Sequence, residues 1–84
     1  MLTYAKRKEL RAQLLHELYE YYFEFGRSKK IDLRELNEDI ERKFAYQYLS
    51  DKGLISMQTV NGTLYQFKIT ADGIDYVERS PLVE

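Results

Sequence analysis

Between Ile55 and Ile69 the chain reads ISMQTVNGTLYQFKI, and this stretch decides the fold. Ile55, Met57 and Thr59 alternate with Ser56, Gln58 and Val60; after a short break, Tyr65, Phe67 and Ile69 alternate with Leu64, Gln66 and Lys68. A period of two is the mark of strands with one buried face. Asn61-Gly62, between the two runs, supplies residues that tolerate positive φ in a type I′ turn. The stretch is therefore predicted to be a hairpin with its aromatic face inward. Such a hairpin is marginal alone, so the rest of the chain must cover it.

Upstream, the period changes to that of a helix. Leu10, Leu14, Leu18, Tyr22 and Phe25 recur every three or four residues, with Leu15 and Tyr19 widening the stripe, which predicts a long amphipathic helix from about Tyr4 to Phe25. Gly26 ends it, and the following Arg27-Ser28-Lys29-Lys30 is predicted to return the chain to solvent. Asp32-x-x-Glu35 then forms a capping-box pattern after Ile31, opening a short second helix to about Glu38 that buries Leu33 and Leu36. A third helix follows, with Ile40, Phe44, Ala45, Tyr48 and Leu49 on the predicted inner face and Lys52-Gly53 as its stop. Downstream of the hairpin, Thr70 caps a last short helix in which Ile74 and Val77 pack back, ending before Ser80-Pro81. The expected fold class is α+β, in a single domain over residues 1–84 with its core at about 8–79.

The 84 residues leave no room for a second core, and a domain of this size buries only roughly 60 to 65% of the surface its unfolded chain exposes. Cysteine is absent, which removes disulfides and thiolate chemistry and agrees with a cytoplasmic location. No apolar run approaches the roughly 18 residues of a membrane span. The net charge is −1, but it is unevenly spread: +3 over residues 1–30, −2 over 31–52 and −2 over 53–84. No charge excess announces a nucleic-acid binder, so that case has to be made locally.

Two phrases carry a resemblance. YQYLSDKGLI, from Tyr46 to Ile55, and YQFKITADGIDYVE, from Tyr65 to Glu78, flank the hairpin and resemble the text of the winged helix-turn-helix superfamily, in particular its small bacterial and phage members. The resemblance spans about residues 8–79 and implies three helices, a two-stranded wing hairpin and a short C-terminal helix. It also implies a function: binding of double-stranded DNA, as a transcriptional regulator or accessory DNA protein, with a recognition helix at about Asn37 to Lys52 in the major groove and a wing tip at Asn61-Gly62. Some members of the superfamily are instead protein-interaction modules without DNA binding.

On that recognition helix Glu41, Arg42, Lys43, Tyr46, Gln47 and Ser50 are expected to face outward. Arg42 and Lys43 suit guanine edges or phosphates, and Gln47 suits adenine. Asn61 and Lys68 are the candidate wing contacts. Lys6, Arg7, Lys8 and Arg11, at the start of the first helix, are candidates for flanking phosphates. Glu38, Asp39 and Glu41 oppose this reading, because they crowd a helix start that would otherwise attract phosphate. The aromatic series Tyr19, Tyr21, Tyr22, Phe23 and Phe25 goes nearly all round its helix, more than one stripe can bury, and is read as a homodimer interface. A continuous basic field would favour DNA; an acidic third helix beside exposed Tyr and Phe would favour a protein partner. Catalysis is not expected. His16 is the sole histidine, and no metal-ligand spacing, phosphate loop or nucleophile elbow is present, so neither cofactor nor metal is expected.

Overall fold

The computed structural model describes residues 2–79. The elements run α1 (Tyr4–Phe25), β1 (Lys29–Asp32), α2 (Leu33–Glu38), α3 (Ile40–Asp51), β2 (Ile55–Val60), β3 (Leu64–Ile69) and α4 (Ala71–Arg79). The hairpin forms, with Ile55 opposite Ile69, Met57 opposite Phe67 and Val60 opposite Leu64. Asn61 and Gly62 take the positive φ expected of them, 55° and 68°, but the connection is one residue longer than a two-residue turn, because Thr63 also lies between the paired Val60 and Leu64.

The sheet has three strands rather than the two expected, in the order β1-β3-β2 and antiparallel throughout. Lys29 to Asp32 does not stay in solvent: it pairs with β3, Lys29 opposite Phe67 and Ile31 opposite Tyr65. Only Ile31 of this strand is buried, so its four residues carry too little alternation to announce a strand. Its two lysines suit an edge, where charge discourages further pairing.

Helix α1 starts at Thr3, whose hydroxyl accepts from the Lys6 N–H at 3.2 Å, and ends where the Gly26 N–H donates to the Tyr22 carbonyl at 2.7 Å. Leu14, Leu15 and Leu18 are its buried residues. They meet Leu36 of α2, Ala45, Tyr46 and Leu49 of α3, and Ile31, Ile55, Phe67 and Ile69 of the sheet in one core. Burying a large apolar side chain is worth about 1.5 to 3 kcal/mol, and this cluster is what offsets the chain entropy of so small a domain. At the start of α2, Asp32 caps as expected, accepting from the Arg34 N–H at 2.7 Å. Glu35 does not close the capping box; it turns toward α3 and pairs with Arg42.

Helix α4 is fastened to the corner between α3 and β2. The Thr70 hydroxyl accepts from the Gly73 N–H at 3.1 Å and donates to the Gly53 carbonyl at 2.7 Å. Gly73 is glycine because the helix comes this close: a Cβ there would collide with the Leu54 carbonyl oxygen and stand 2.7 Å from Ile69 Cγ1. Val77 is buried and Ile74 half-buried, as their spacing predicts. The expected stop at Ser80-Pro81 lies outside the described residues.

Candidate interaction face of the third helix

Helix α3 presents a different face from the one its sequence suggests. Its buried residues are Ala45, Tyr46 and Leu49. Ile40, Phe44 and Tyr48, expected inside, are 47%, 59% and 41% exposed, while Tyr46, expected outside, is fully buried. The reason lies on β3. The Tyr46 ring stacks on Phe67 with 4.1 Å between centroids and 15° between planes, a contact available only if α3 turns Tyr46 toward the sheet. Tyr46 therefore reads no base edge. Its hydroxyl is buried beside the Arg42 guanidinium, without a well-formed hydrogen bond among the described residues. Burial pushes this phenol above its ordinary pKa, with Arg42 pulling the other way.

The basic candidates on and around α3 are largely engaged. Arg42, half-buried, gives a guanidinium hydrogen bond to Glu35 at 3.3 Å, and its N–H donates to the capping Asp39. Arg7 reaches from α1 to Glu41 in a two-pronged pair, Nε to Oε1 at 3.0 Å and Nη2 to Oε2 at 3.1 Å. That pair ties the starts of α1 and α3 together. The hydrogen bond from Arg7 holds the Glu41 carboxyl below its ordinary pKa and lifts that of Arg7. Lys6 lies 3.6 Å from Glu9 in an exposed pair, worth little. The Arg11 guanidinium lies 4.0 Å from the centre of the Tyr48 ring. Lys8 and Gln47 are exposed and Lys43 is half-buried.

The outward side of α3 thus centres on Ile40 and Phe44, with Gln47, Tyr48 and Asp51 beside them. The hairpin adds no charge to it near the turn. Asn61 is exposed, but from Gln58 to Gln66 every residue is uncharged, and Lys68 lies opposite Ser56 at the base of the hairpin. Its ammonium sits 5.4 Å from the Tyr22 ring.

The aromatic series on α1 divides. Tyr19, Tyr21 and Tyr22 are half-buried within the domain, and the Tyr19 hydroxyl donates to Glu78 of α4 at 2.8 Å. That hydrogen bond raises the Tyr19 phenol above its ordinary pKa. Phe23 and Phe25 remain 59% and 49% exposed. His16 is half-buried, with Nε2 3.1 Å from a Glu20 carboxylate oxygen one turn on. Among the described residues no group of three His, Asp or Glu side chains is placed to hold a metal, and no helix is long and apolar enough to cross a membrane.

Two grooves border this face. One, of about 320 Å³, lies between α1 and α3 and is lined by Arg7, Leu10, Arg11, Glu41, Phe44 and Ala45. The other, of about 310 Å³, continues past Arg11 toward α4 and is lined in part by Tyr48, Leu54 and Tyr76. The exposed face of α3 escapes the sequence because its apolar residues go round more than half of the helix, so spacing alone does not reveal which of them lie inside. No family model, curated protein or solved structure matches the chain.

Proposed function

We propose that this chain is a winged-helix domain that works as a protein-interaction module, docking a partner protein on the outward face of α3. The helix and strand order and the three-stranded antiparallel sheet support the winged-helix reading. One observation carries the interaction reading: Ile40, Phe44 and Tyr48 stand exposed one turn apart along the helix that would otherwise enter the major groove. An apolar, aromatic centre with an arginine beside it and a polar rim has the anatomy of a protein interface. DNA binding is less well supported, because Arg7 and Arg42 are paired with carboxylates and Tyr46 is buried.

Double-stranded DNA binding is the second reading. Lys43 and Gln47 on α3 and Lys8 on α1, none of them in an ion pair among the described residues, favour it. Fluorescence anisotropy with a pool of random duplexes, at low and moderate salt, separates the two. The interaction reading expects no salt-sensitive binding at micromolar protein; binding there, lost on Lys43→Ala with Gln47→Ala, would replace it with the DNA reading. On the protein side, a partner retained stoichiometrically after nuclease treatment should be lost on Ile40→Ser with Phe44→Ser. Self-association through Phe23 and Phe25 is a separate proposal. Light scattering across micromolar concentrations should give a dimer mass that Phe23→Ser with Phe25→Ser returns to a monomer; a monomer throughout would remove it.

A further inference from the structure

The groove between α1, α3 and α4 has a chemistry more specific than the rest of the face. Its floor is apolar, with Leu15 and Leu49 buried and Leu54 half-buried, and its walls are the exposed rings of Tyr48 and Tyr76. Three cations stand round it: Lys8 and Arg11 from α1 and Lys52 from the end of α3. None of the ion pairs among the described residues involves them. Two are held over the same ring, the Arg11 guanidinium at 4.0 Å and the Lys52 ammonium at 5.9 Å from the centre of Tyr48. Cation–π contact of this kind keeps the charges at the mouth without neutralising them. The adjoining groove differs, since its Arg7 is already matched by Glu41.

We propose that this groove takes a short acidic segment of the partner protein, carrying one or two apolar anchor side chains. The inference rests on the protein-docking reading and names the partner's chemistry. Charge complementarity selects an anionic occupant, because three cations converge where no carboxylate of the described residues answers them. The leucine floor selects an apolar one. A duplex backbone offers phosphate but nothing to fill an apolar floor, whereas an acidic amphipathic helix offers both. At about 310 Å³ the cavity is at the small end of ligand pockets and suits anchor side chains better than a whole small molecule.

The test is an amide NMR titration of the full chain with two synthetic helical peptides that share two leucines four residues apart, one flanked by glutamates and the other by lysines. The acidic peptide should shift the amides of Lys8, Arg11, Tyr48, Lys52, Leu54 and Tyr76, and should bind at least about tenfold more tightly than the basic one. Combined Lys8→Glu, Arg11→Glu and Lys52→Glu should weaken it by a similar factor while the spectrum stays dispersed; if the triple variant unfolds, Lys8→Glu and Lys52→Glu are read singly for the same loss. Equal binding of the two peptides, shifts confined to other faces, or random duplex DNA shifting these amides while the acidic peptide does not, would overturn the proposal. The two levels fail separately. A native partner lost on Ile40→Ser with Phe44→Ser but insensitive to the charge reversals would overturn the acidic-segment proposal and leave the docking reading standing; a partner insensitive to both sets would overturn both.

Discussion

Tyr46 is where the structure makes its sharpest quantitative demand. Its ring is fully buried and stacked on Phe67, while its hydroxyl is buried beside Arg42 without a well-formed hydrogen bond among the described residues. Two substitutions therefore move stability in different directions. Tyr46→Ala removes the ring and leaves a cavity, a loss of about 3 to 5 kcal/mol by the cost of large aromatic deletions. A domain of 84 residues has only about 4 to 12 kcal/mol in total. At about 4 to 8 °C per kcal/mol for this size, the melting temperature should fall by at least about 12 °C. Tyr46→Phe keeps the stack and deletes only the hydroxyl and its weak contact with Arg42. A buried polar group left unsatisfied costs about 1 to 3 kcal/mol, so its removal should leave stability unchanged or raise it by up to that amount. Thermal and urea denaturation followed by far-UV circular dichroism measure both. A loss above about 1 kcal/mol in Tyr46→Phe would mean that the hydroxyl is bonded, and a Tyr46→Ala protein as stable as the parent would mean that the ring faces solvent, refuting the assigned orientation of α3.

Four further outcomes follow from the same geometry. Phe44→Ala, at a position more than half exposed, should change stability by no more than about 0.5 kcal/mol in the same assay, where a core phenylalanine would cost several. Gly73→Ala should destabilise by about 1 to 3 kcal/mol or more, because the added methyl meets the Leu54 carbonyl and Ile69, and the melting temperature should show it directly. The Glu41 carboxyl is held low in the folded state by its hydrogen bond from Arg7, so the pair's stabilisation is complete above the ordinary glutamate pKa and is lost as pH falls through the lowered value. Melting curves from about pH 6 down to about pH 2 should accordingly show a shallower acid decline in Glu41→Gln than in the parent. Asn61, at φ of 55°, should accept glycine at little cost, whereas Asn61→Val should cost about 1 kcal/mol or more in denaturant titration.

What the sequence made legible follows the strength of its periods. The hairpin reads clearly because six-residue alternations flank Asn61-Gly62, and α1 reads clearly because a leucine stripe runs between Thr3 and Gly26. Strand β1 does not, since one buried isoleucine in four residues sets no period. The phase of α3 does not either. Ile40, Phe44 and Tyr48 make as good a stripe as Ala45, Tyr46 and Leu49, and what decides between them is Phe67, 21 positions beyond Tyr46 and fixed by the sheet. The candidate face inherits that ambiguity: Ile40, Phe44 and Tyr48, the apolar centre of the exposed side of α3, read in the sequence as core. The pairing of Arg7 with Glu41 was equally hidden, because the two stand 34 positions apart on different helices. Basic residues counted along the chain therefore overstate the charge that the folded surface has free.

Docking of a partner protein on the outward face of α3 can be trapped covalently. A photo-crosslinking amino acid in place of Phe44, in the native host, tests it most directly, with the same group in place of Asn61 as the control. Docking there gives one discrete adduct from position 44 that survives nuclease, disappears with protease and is absent from position 61; adducts that nuclease removes, or the same adduct from both positions, would rule it out.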